Sequence, residues 1–365
     1  MRFVSTYHKK RVLVTGHTGF KGSWLSNWLV SFGAEVHGIA DGIPTTPSLF
    51  EATKLADRIQ HHVLDVRDRK ALVDRVSKIR PDFVFHLAAQ SLVRRSYADA
   101  ATTFETNAMG TLNMLEALRE LKSPCTAVLI TSDKVYDNQE WVWGYREDDA
   151  LGGRDPYSAS KGAAELIIKG YLHSFFGSGS PVRLAVGRAG NVIGGGDWAA
   201  DRIVPDAIRA WVEKRAVEVR QPESTRPWQH VLEPLSGYLA LGEKLAGDPR
   251  LHGQAFNFGP SPESDWSVGM ILDEMKKHWP SAAWRHTPPE TKVHEANLLK
   301  LNCDKALNAL QWRPALRIEE ALRWTVEWYA AFYTRKEDAL KLCQHQFESY
   351  RDLAGQRAIA WALSL

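Results

Sequence analysis

The sequence predicts an α/β fold whose centre is a doubly wound parallel sheet. From the N-terminus to about residue 190, short apolar runs typical of buried strands alternate with longer runs whose apolar residues recur at helical spacing. This alternation is typical of a parallel sheet with helices on both faces, and right-handed crossovers make a doubly wound topology the expected one. The predicted strands are 11–15, 35–40, one within 59–65, 82–87, 127–131 and 182–189.

The helices between these strands are predicted from the same periodicity. In the first of them, Trp24, Trp28 and Leu29 lie on one face, and Gly33 follows in the position that often closes a helix. The predicted helices of the first half are 21–32, 67–79, 101–121 and 157–176.

The second half of the chain has a different pattern. A glycine-rich loop at 194–198 and several proline-rich stretches interrupt the alternation. We therefore expect residues 1–190, rejoined by a segment near 229–260, to form a Rossmann-type domain, and residues 191–365 to form a smaller, mostly helical lobe. The predicted helices of that lobe are 202–214, 234–245, 268–278 and 318–333.

Composition and charge limit the classes of function. The chain has 365 residues, 24% of them charged, and a net charge of only +3, which argues against nucleic acid as a partner. No run is long and apolar enough to be expected to cross a membrane. The three cysteines are far apart, fit no metal-ligand spacing and are typical of a reducing compartment. The polar, basic N-terminus leads straight into a strand without a signal-like apolar region, so we expect a cytoplasmic protein that binds no metal.

A glycine-rich turn follows the first predicted strand. It reads Gly16-His17-Thr18-Gly19-Phe20-Lys21-Gly22, a G-x-x-G-x-x-G pattern between strand and helix. Gly16 would allow the tight turn, Gly19 would let the backbone approach a pyrophosphate, and Gly22 would let helix and strand pack closely. The helix N-terminus would offer free N–H groups and a partial positive charge to the phosphates. The turn therefore predicts a dinucleotide site.

Polar or small residues follow other strands at the edge where ligands bind in such sheets. Asp41 ends the second strand, at the distance in sequence from the glycine turn that is expected for an acid bonding an adenosine ribose, which would favour NAD over NADP. It is equally suited to a turn with Gly42. Asp65, through its side chain, and Val66, through its backbone, could meet the adenine. Leu87-Ala88-Ala89-Gln90 ends the fourth strand, and its small residues either let the chain pass close to a cofactor or only pack tightly.

Two short clusters contain the candidate catalytic groups. Tyr157 and Lys161 are four residues apart and therefore share one helix face. An ammonium at that place would lower the pKa of the phenol and make it usable as a base near neutral pH. The second cluster, Thr131-Ser132-Asp133-Lys134, follows the fifth strand. The Tyr–Lys spacing alone occurs by chance in many helices, so the surrounding sequence is what favours a catalytic interpretation.

Over nearly its whole length the chain resembles the nucleotide-sugar branch of the extended short-chain dehydrogenase/reductase superfamily. Closer still, it is similar to the CDP-glucose 4,6-dehydratases of that branch. The motifs that carry the resemblance are GHTGFKGSW at 16–24, PSLFE at 47–51, TSDKVY at 131–136, WVWGYRE at 141–147, GNVIGGGDW at 190–198 and RPWQHVLEP at 226–234.

The resemblance implies a lyase with NAD as internal redox cofactor and CDP-glucose as substrate. In such an enzyme a hydride leaves sugar C4 for NAD while a tyrosine removes the C4 hydroxyl proton. Water then leaves across C5–C6 and the hydride returns to C6. The product would be CDP-4-keto-6-deoxyglucose, used in deoxysugar and O-antigen biosynthesis.

The resemblance also implies roles for the two clusters. Tyr157 would be the base at C4, and Lys161 would bond the nicotinamide ribose and hold the phenolate. Ser132 would bond the C4 oxygen, and Asp133 would be the general acid for the C6 hydroxyl, which requires a raised pKa. Many related dehydratases for other nucleotides have Glu in place of Lys134, as the base at C5. Here Lys134 is either a base with a depressed pKa, which is slightly favoured, or a cation that stabilises the enolate.

Further contacts are implied with the substrate and the cofactor. Asn191, Arg202 and Arg226 resemble residues that contact the sugar and its diphosphate, for which a planar guanidinium is well suited. Arg226 could instead be a surface residue of a proline-rich loop, and Tyr145 is a further expected substrate contact. The expected cofactor contacts are Gly16, His17, Gly19, Phe20, Lys21, Gly22, Asp41, Asp65, Val66, Leu87, Ala88, Ala89, Gln90, Asn107, Tyr157 and Lys161.

Two features depart from the pattern of the relatives. His17 and Lys21 stand where relatives often have small or apolar residues, so they either alter how firmly the pyrophosphate is held or face solvent at the helix start. A basic contact that some relatives have late in the chain has no clear counterpart, since residues 292–297 read Lys-Val-His-Glu-Ala-Asn.

Other interpretations stay open at this point. A 4-epimerase would need the serine, tyrosine and lysine but no acid–base pair beside the serine, so Asp133-Lys134 favours a dehydratase. A dehydratase for another nucleotide-hexose would share every group named above. A non-catalytic NAD-binding protein would be expected to lack Ser132, Tyr157 or Lys161. The helices at 101–121 and 157–176 either cover the sheet only or also form the four-helix contact of a homodimer, of which two could associate as a tetramer.

Overall fold

The computed structural model describes residues 2–261, 266–288 and 298–363. The strands in these ranges, in chain order, are β1 Arg11–Thr15, β2 Glu35–Ala40, β3 Gln60–Val63, β4 Phe83–His86, β5 Cys125–Ile130, β6 Val182–Ala189, β7 Val192–Ile193, β8 Val217–Val219, β9 Thr225–Arg226, β10 Gln229–His230, β11 Ala255–Phe258, β12 Trp266–Ser267 and β13 Trp284–His286.

The α-helices are distributed along both halves of the chain. In order they are α1 Arg2–Tyr7, α2 Phe20–Ser31, α3 Leu49–Ala52, α4 Arg69–Ile79, α5 Val93–Ala98, α6 Ala100–Phe104, α7 Gly110–Arg119, α8 Pro156–Phe175, α9 Ile203–Val212, α10 Leu232–Gly247, α11 Val268–Lys276, α12 Asp304–Leu310, α13 Ile318–Ala330 and α14 Ala339–Gln356. Short 3-10 turns cover Leu55–Arg58, Asp133–Val135 and Pro249–Leu251, and π turns cover Glu105–Met109 and Ala331–Arg335.

The main sheet confirms the predicted fold class. Within the described residues it has seven strands, all parallel, in the order β11-β6-β5-β4-β1-β2-β3. The chain winds outward in one direction from β1 to β3 and then in the other from β4 to β11. The switch point therefore lies between β1 and β4, which is where ligands bind in sheets of this kind. Strand β11 belongs to the segment expected to rejoin the first domain, and the domain boundary itself stays a prediction.

The alternation of side chains along the strands divides the core between the two sheet faces. Val12 and Val14 of β1 belong to a large apolar cluster that includes residues of α2, α10, α13 and α14. Leu13, between them, belongs to a second cluster formed with α4, α7 and α8. Helices therefore cover both faces, as the strand–helix alternation predicted.

Several bounds agree with the sequence prediction and others do not. Strands β1, β2 and β6 have the predicted residues, and the predicted helix 101–121 is α6, a π turn and α7 in succession. The N-terminus was wrongly expected to lead straight into a strand. It forms α1, because Phe3 and Tyr7 lie on one helix face and are both buried, and the Tyr7 phenol donates to the carbonyl of Leu239 over 2.7 Å.

Aromatic side chains contribute to the contact between the C-terminal lobe and the sheet domain. Trp24 of α2 donates from its indole nitrogen to the carbonyl of Gly195 over 2.9 Å. A Cβ at Gly195 would lie 2.1 Å from ring atoms of Trp328, so the loop 194–198 can pack there only with glycine at that position. Within the lobe itself, Trp198 donates to the Tyr333 phenol over 2.8 Å. None of the helices in the described part of the chain has the length and apolarity needed to span a membrane.

Candidate active site

A cleft of about 1100 Å³ lies at the carboxyl ends of the strands, at the switch point of the sheet. Its lining residues up to Lys161 come from the strand ends, from the helices and loops that follow them, and from α8, and we call them the sheet wall. Its lining residues from Ala189 onward come mainly from the C-terminal lobe, and we call them the lobe wall. The cleft is large enough for a dinucleotide and a second ligand together.

Most of the residues predicted to form a site line this single cleft. All five candidate catalytic residues are among them, although Tyr157 and Ser132 are 25 residues apart in sequence. The predicted residues that line the cleft are Gly16, Gly19, Phe20, Lys21, Gly22, Asp41, Asp65, Val66, Leu87, Ala88, Ala89, Gln90, Ser132, Asp133, Lys134, Tyr157, Lys161, Asn191, Arg202 and Arg226. The predicted residues that do not line it are His17, Asn107 and Tyr145.

The glycine turn has the geometry of a phosphate cradle. Gly16 has a φ of +73°, and a Cβ there would lie 2.8 Å from the backbone nitrogen of Ala88. A Cβ at Gly22 would lie 2.1 Å from the Gly16 carbonyl oxygen, so helix and turn touch as expected. Gly19 is the N-cap of α2, and no side chain caps the first turn of that helix. The N–H groups at this helix start therefore remain for an anion in the cleft, which fits the diphosphate of a dinucleotide.

His17 has a structural place that the sequence did not reveal. Its ring is fully buried, its Nε2 is 2.7 Å from Nδ1 of His61, and Phe50 packs edge-on against it. Burial lowers the pKa of His17 to about 4, with the neighbouring His61 as a second cause. The expectation that His17 faces solvent is therefore wrong, and its effect on how firmly the pyrophosphate is held stays a prediction. The ring fits beside β2 because residue 38 is glycine, where a Cβ would lie 2.4 Å from the ring.

Lys21 also does not face solvent, and its ammonium lies close to the candidate catalytic groups. Nζ donates to the Tyr238 phenol over 2.8 Å. Burial, followed by the cations Lys161 and Arg202, lowers the pKa of Lys21 to about 7, and Asp133 acts in the opposite direction. Lys21 therefore adds a group with a tunable charge to the sheet wall.

The residues expected to contact the adenosine part of the cofactor, Asp41 and Asp65, follow strands β2 and β3. Asp41 is exposed at the end of β2. Asp65 accepts from Nε of Arg67 over 2.8 Å, and this bond is the main reason why the pKa of Asp65 is lowered. Thr18, which the sequence did not single out, donates from its hydroxyl to the Gly42 carbonyl over 2.7 Å and ties the glycine turn to the loop after β2.

Asn107 does not line the cleft but connects two elements that do, the loop after β4 and helix α8. It lies in the π turn between α6 and α7, and its amide nitrogen donates to the Gln90 carbonyl over 3.0 Å and to the Ser160 hydroxyl over 2.8 Å. Its amide oxygen accepts from the Gln90 backbone nitrogen over 2.9 Å. The Asn107 side chain therefore holds the loop after β4 against α8, and its expected contact with the cofactor stays a prediction.

Ser132, Asp133 and Lys134 form a tight turn at the end of β5. The Ser132 hydroxyl donates to the Asp133 carboxylate over 2.9 Å and accepts from the Lys134 backbone nitrogen over 3.2 Å. Asp133 is 4% exposed, and burial raises its pKa although Lys134 and the bond from Ser132 act in the opposite direction. A Cβ at residue 190 would lie 2.7 Å from this carboxylate, so the Asp133 side chain fits there because residue 190 is glycine. A carboxyl with a raised pKa is what a general acid requires.

Tyr157 and Lys161 lie on the first two turns of α8 and face the cleft. Burial raises the pKa of Tyr157 to about 12, while a hydrogen bond with Ser132 and the charge of Arg202 lower it. The expectation that the phenol pKa is lowered is thus wrong for the free protein, because burial outweighs the bond with Ser132 and the charge of Arg202. Burial also lowers the pKa of Lys161 to about 8, and Glu165 acts against that change.

The lobe wall contains two of the predicted substrate-binding residues, Arg202 and Arg226. Arg202 donates to the Asp197 carboxylate over 3.0 Å and to the Ser91 hydroxyl over 3.3 Å, so it bridges the two walls. The charge of Asp197 is the main reason why the pKa of Arg202 is raised. Arg226 lies in β9, which pairs with β12. The segment 292–297, near which some relatives have a further basic contact, lies outside the described residues.

Tyr145 is the third predicted residue that the cleft does not include. Its ring stacks on Tyr136 at a centroid distance of 5.0 Å, and its hydroxyl donates to Asn138 over 3.0 Å. It is 1% exposed. The Tyr145 ring packs the loop that follows the Ser132–Lys134 turn, and its expected contact with the substrate stays a prediction.

Sequence reasoning also missed a buried charged pair behind the site, Glu165 and Arg188. Two signals were present. Glu165 follows Lys161 by four residues, the same spacing that connects Lys161 to Tyr157. Arg188 lies near the end of strand β6, directly after the buried run from Leu184 to Gly187, and a charged residue buried there requires a partner.

Comparison with known proteins identifies what the chain is similar to. A family model described as GDP-mannose 4,6 dehydratase matches residues 13–325. A CDP-glucose 4,6-dehydratase from Salmonella typhimurium is 46% identical over 345 residues, which are 93% of this chain and 96% of the relative.

Solved structures share the fold at lower sequence identity. A UDP-glucose 4-epimerase from Thermotoga maritima, solved with UDP-glucose, superposes with a TM-score of 0.75 at 22% identity and covers 89% of this chain and 99% of its own. A dTDP-glucose 4,6-dehydratase from Streptomyces venezuelae, solved with NAD, superposes with a TM-score of 0.73 at 22% identity and covers 90% and 99%. Epimerases and dehydratases thus share this scaffold, so the fold does not distinguish between them.

Proposed function

Since the chain belongs to the nucleotide-sugar 4,6-dehydratases of the extended short-chain dehydrogenase/reductase superfamily, we propose that it converts CDP-glucose into CDP-4-keto-6-deoxyglucose. The observation that carries this proposal is the convergence of Ser132, Asp133, Lys134, Tyr157 and Lys161 on one cleft beside a glycine-rich helix start. The sequence identity of 46% with a CDP-glucose 4,6-dehydratase, over 93% of the chain, supports the choice of nucleotide.

We propose NAD as the cofactor. The turn from Gly16 to Gly22 would hold its diphosphate, Asp41 its ribose, and Asp65 with Val66 its adenine, since all of them line the sheet wall. When bound, NAD supplies a hydride acceptor at sugar C4 and a hydride donor at C6. The open helix start and the lack of bulk at Gly19 support this placement.

In the first step Tyr157 would take the proton of the C4 hydroxyl. A phenol whose pKa is about 12 needs help to do so near neutral pH. That help would come from Ser132, which already lowers the phenol pKa, and from the ammonium of Lys161, which would bond the nicotinamide ribose. Lys161 has a pKa of about 8, so it is largely protonated at neutral pH.

In the second step a proton leaves C5 and water leaves C6. Asp133, buried and with a raised pKa, would give a proton to the departing C6 hydroxyl. Lys134 would take the C5 proton or, as the alternative, stabilise the enolate while another group takes it. Both roles use its place beside the acid on the sheet wall. An epimerase has no need of this acid–base pair, which favours dehydration.

The lobe wall would bind the rest of the substrate. Asn191 would contact the sugar, and Arg202 and Arg226 would contact the diphosphate. All three residues line the cleft, and a guanidinium suits two phosphate oxygens. The bonds from Arg202 to Asp197 and Ser91 orient its guanidinium before the substrate arrives. Such preorganisation reduces the ordering cost of binding.

The proposal is tested by incubating the protein with NAD and CDP-glucose and following the 4-keto product by its absorbance in alkali. UDP-, dTDP- and GDP-glucose are assayed in parallel. We expect product from CDP-glucose at a kcat/KM at least tenfold above the others. Product from another nucleotide alone would contradict the CDP assignment, and no keto product from any of them would contradict the dehydratase itself.

We also propose a homodimer through the outer faces of α7 and α8 and the π turn that precedes α7. Met109 is 43% exposed, and Leu166 of α8 is 61% exposed. Exposed apolar side chains on adjacent helices are typical of an interface. Light scattering should give twice the mass of 41.0 kDa expected for one chain. Leu166→Glu should return the protein to one chain, whereas a monomeric wild type would contradict the proposal.

A further inference from the structure

The two candidate catalytic segments are joined behind the cleft by the buried pair Glu165–Arg188. Glu165 lies on α8, one turn after Lys161, and its side chain is 4% exposed. Arg188 lies on β6, its side chain is also 4% exposed, and it binds both carboxylate oxygens of Glu165, at 2.7 Å from Nε and 2.5 Å from Nη2. Such a two-point contact fixes orientation as well as distance.

The pair holds both ends of the catalytic turn. Thr131, immediately before Ser132, donates from its hydroxyl to Glu165 over 2.6 Å. Tyr136, which follows the turn, accepts from Nη1 of Arg188 over 2.8 Å and donates to Asn257 over 2.7 Å. The turn from Ser132 to Val135 is thus bound on one side through the helix that contains Tyr157 and on the other through the sheet.

We propose that Glu165 is a positioning residue that, with Arg188, sets the distance between the Ser132–Lys134 turn and the Tyr157–Lys161 face of α8. The inference rests on the proposed function, since it concerns the geometry of that reaction. The pair connects α8 to both ends of the turn through buried side chains of opposite charge, so a change at either residue should shift the turn relative to the helix. A displacement of about 1 Å between reacting groups is enough for a rate loss on the order of 10²-fold.

Glu165 also acts on the charge of Lys161. The titratable groups whose charges act on Lys161 or respond to it are Glu165 from its own helix, Lys21 from α2 and His86 from β4. Burial lowers the pKa of His86 to about 3, so this ring is neutral near pH 7. Glu165 is the group that raises the pKa of Lys161 against burial. An uncharged residue at 165 should therefore let Lys161 lose its proton at lower pH.

The test compares the wild type with Glu165→Gln and Thr131→Val under saturating CDP-glucose and NAD. Glu165→Gln keeps the size of the side chain but removes the charge opposite Arg188 and beside Lys161. We expect kcat to fall on the order of 10²-fold and the alkaline limb of its pH profile to move to lower pH by about one unit. NAD binding, measured by fluorescence quenching, should change less than threefold.

Thr131→Val separates positioning from charge and is expected to fold even if Glu165→Gln does not. It removes only the hydroxyl that Glu165 binds, so kcat should fall about tenfold while the alkaline limb stays where it is. Glu233→Gln is the matched control. Glu233 is a carboxylate 1% exposed in α10 that binds Leu316 and Tyr350 outside the cleft, so it should alter stability without altering the pH profile.

The inference and the proposed function fail in different ways. If the wild type forms no keto sugar, the proposed function is wrong. If the wild type is active and both Glu165→Gln and Thr131→Val retain its kcat and its alkaline limb, Glu165 has a structural role only and the inference is overturned. A change in melting temperature alone, as expected for the control, would overturn it in the same way.

Discussion

The two walls of the cleft are built by different means. The groups of the sheet wall follow parallel strands whose register is fixed by backbone hydrogen bonds, for example Thr15 opposite His86 and Ile130 opposite Gly187. The lobe wall consists largely of loops and two-residue strands such as β7 and β10. Its shape depends on side-chain bonds, among them Arg202–Asp197.

This difference suggests a division of labour. Chemistry that tolerates little displacement is placed on the rigid wall, and recognition of the nucleotide sugar is placed on the wall made of loops. Substitutions in the sheet wall should therefore reduce kcat, and substitutions in the lobe wall should mainly raise KM. The following predictions test this contrast, from the largest expected effect to the smallest.

Tyr157→Phe should give the largest loss, because it removes the group that takes the C4 proton. Since the ring still fills its buried place, we expect kcat to fall about 10³-fold or more while NAD binding stays nearly unchanged. Stopped-flow absorbance at 340 nm measures the hydride step. Tyr171→Phe, on the same helix but outside the cleft, is the control. Normal turnover by Tyr157→Phe would mean that the base has been misassigned.

Lys134→Ala should separate the two halves of the reaction. Oxidation at C4 should persist, whereas exchange of the C5 hydrogen with deuterated water should fall about 10²-fold, as measured by mass spectrometry of the sugar. Lys169→Ala, exposed on α8, is the control for loss of a lysine. Exchange at the wild-type rate would exclude Lys134 as the C5 base and leave it the role of a stabilising cation.

Arg202→Lys should show the behaviour of the lobe wall. The ammonium keeps the charge but loses the planar, two-point bond to a diphosphate, so KM for CDP-glucose should rise about tenfold with little change in kcat. Steady-state kinetics measure both constants, and Arg250→Lys, at an exposed ion pair, is the control. A loss confined to kcat would break the contrast between the walls.

The smallest effect concerns stability rather than rate. The folded-state pKa of His17 is about 4 and its ordinary value is 6.5, so below pH 6.5 the unfolded chain takes up a proton that the folded chain does not. The stabilisation is present above pH 6.5 and is lost as pH falls toward 4, by about 2 kcal/mol between pH 7 and pH 5.

Urea unfolding at the two pH values checks this. His17→Leu should lose about 2 kcal/mol less than the wild type over that interval, and His173→Leu, on an exposed position, should behave as the wild type does. Equal losses in His17→Leu and the wild type would mean that the His17 ring is not buried in its neutral form.

The contrast between the walls also explains what sequence could predict. Strands β1, β2 and β6 and the glycine turn were predicted closely, because local apolar runs and glycine spacing determine them. The Ser132 and Tyr157 clusters were predicted because they follow a strand and begin a helix in the sequence itself. The arrangement of these clusters in one cleft follows from parallel strands ending at a common edge.

What sequence could not predict depends on contacts between distant residues. Asn107 and Tyr145 have polar groups suited to a ligand, but their partners, Gln90 and Asn138, use those groups. Helix α14 was not predicted because its exposed faces are rich in charge, although Phe347 and Tyr350 are buried. The stacking of Phe347 on Trp28 of α2, at 5.3 Å, exists only in the folded chain.

The central claim is that one hexose is oxidised at C4 and reduced at C6 within the same cleft. CDP-glucose carrying deuterium at C4 tests it most directly, with the product analysed by mass spectrometry and NMR. We expect the deuterium to be found at C6 of the 4-keto-6-deoxy product, without dilution by unlabelled NADH added to the solution. A product without deuterium at C6, or recovery of the label in the added cofactor, would contradict this claim.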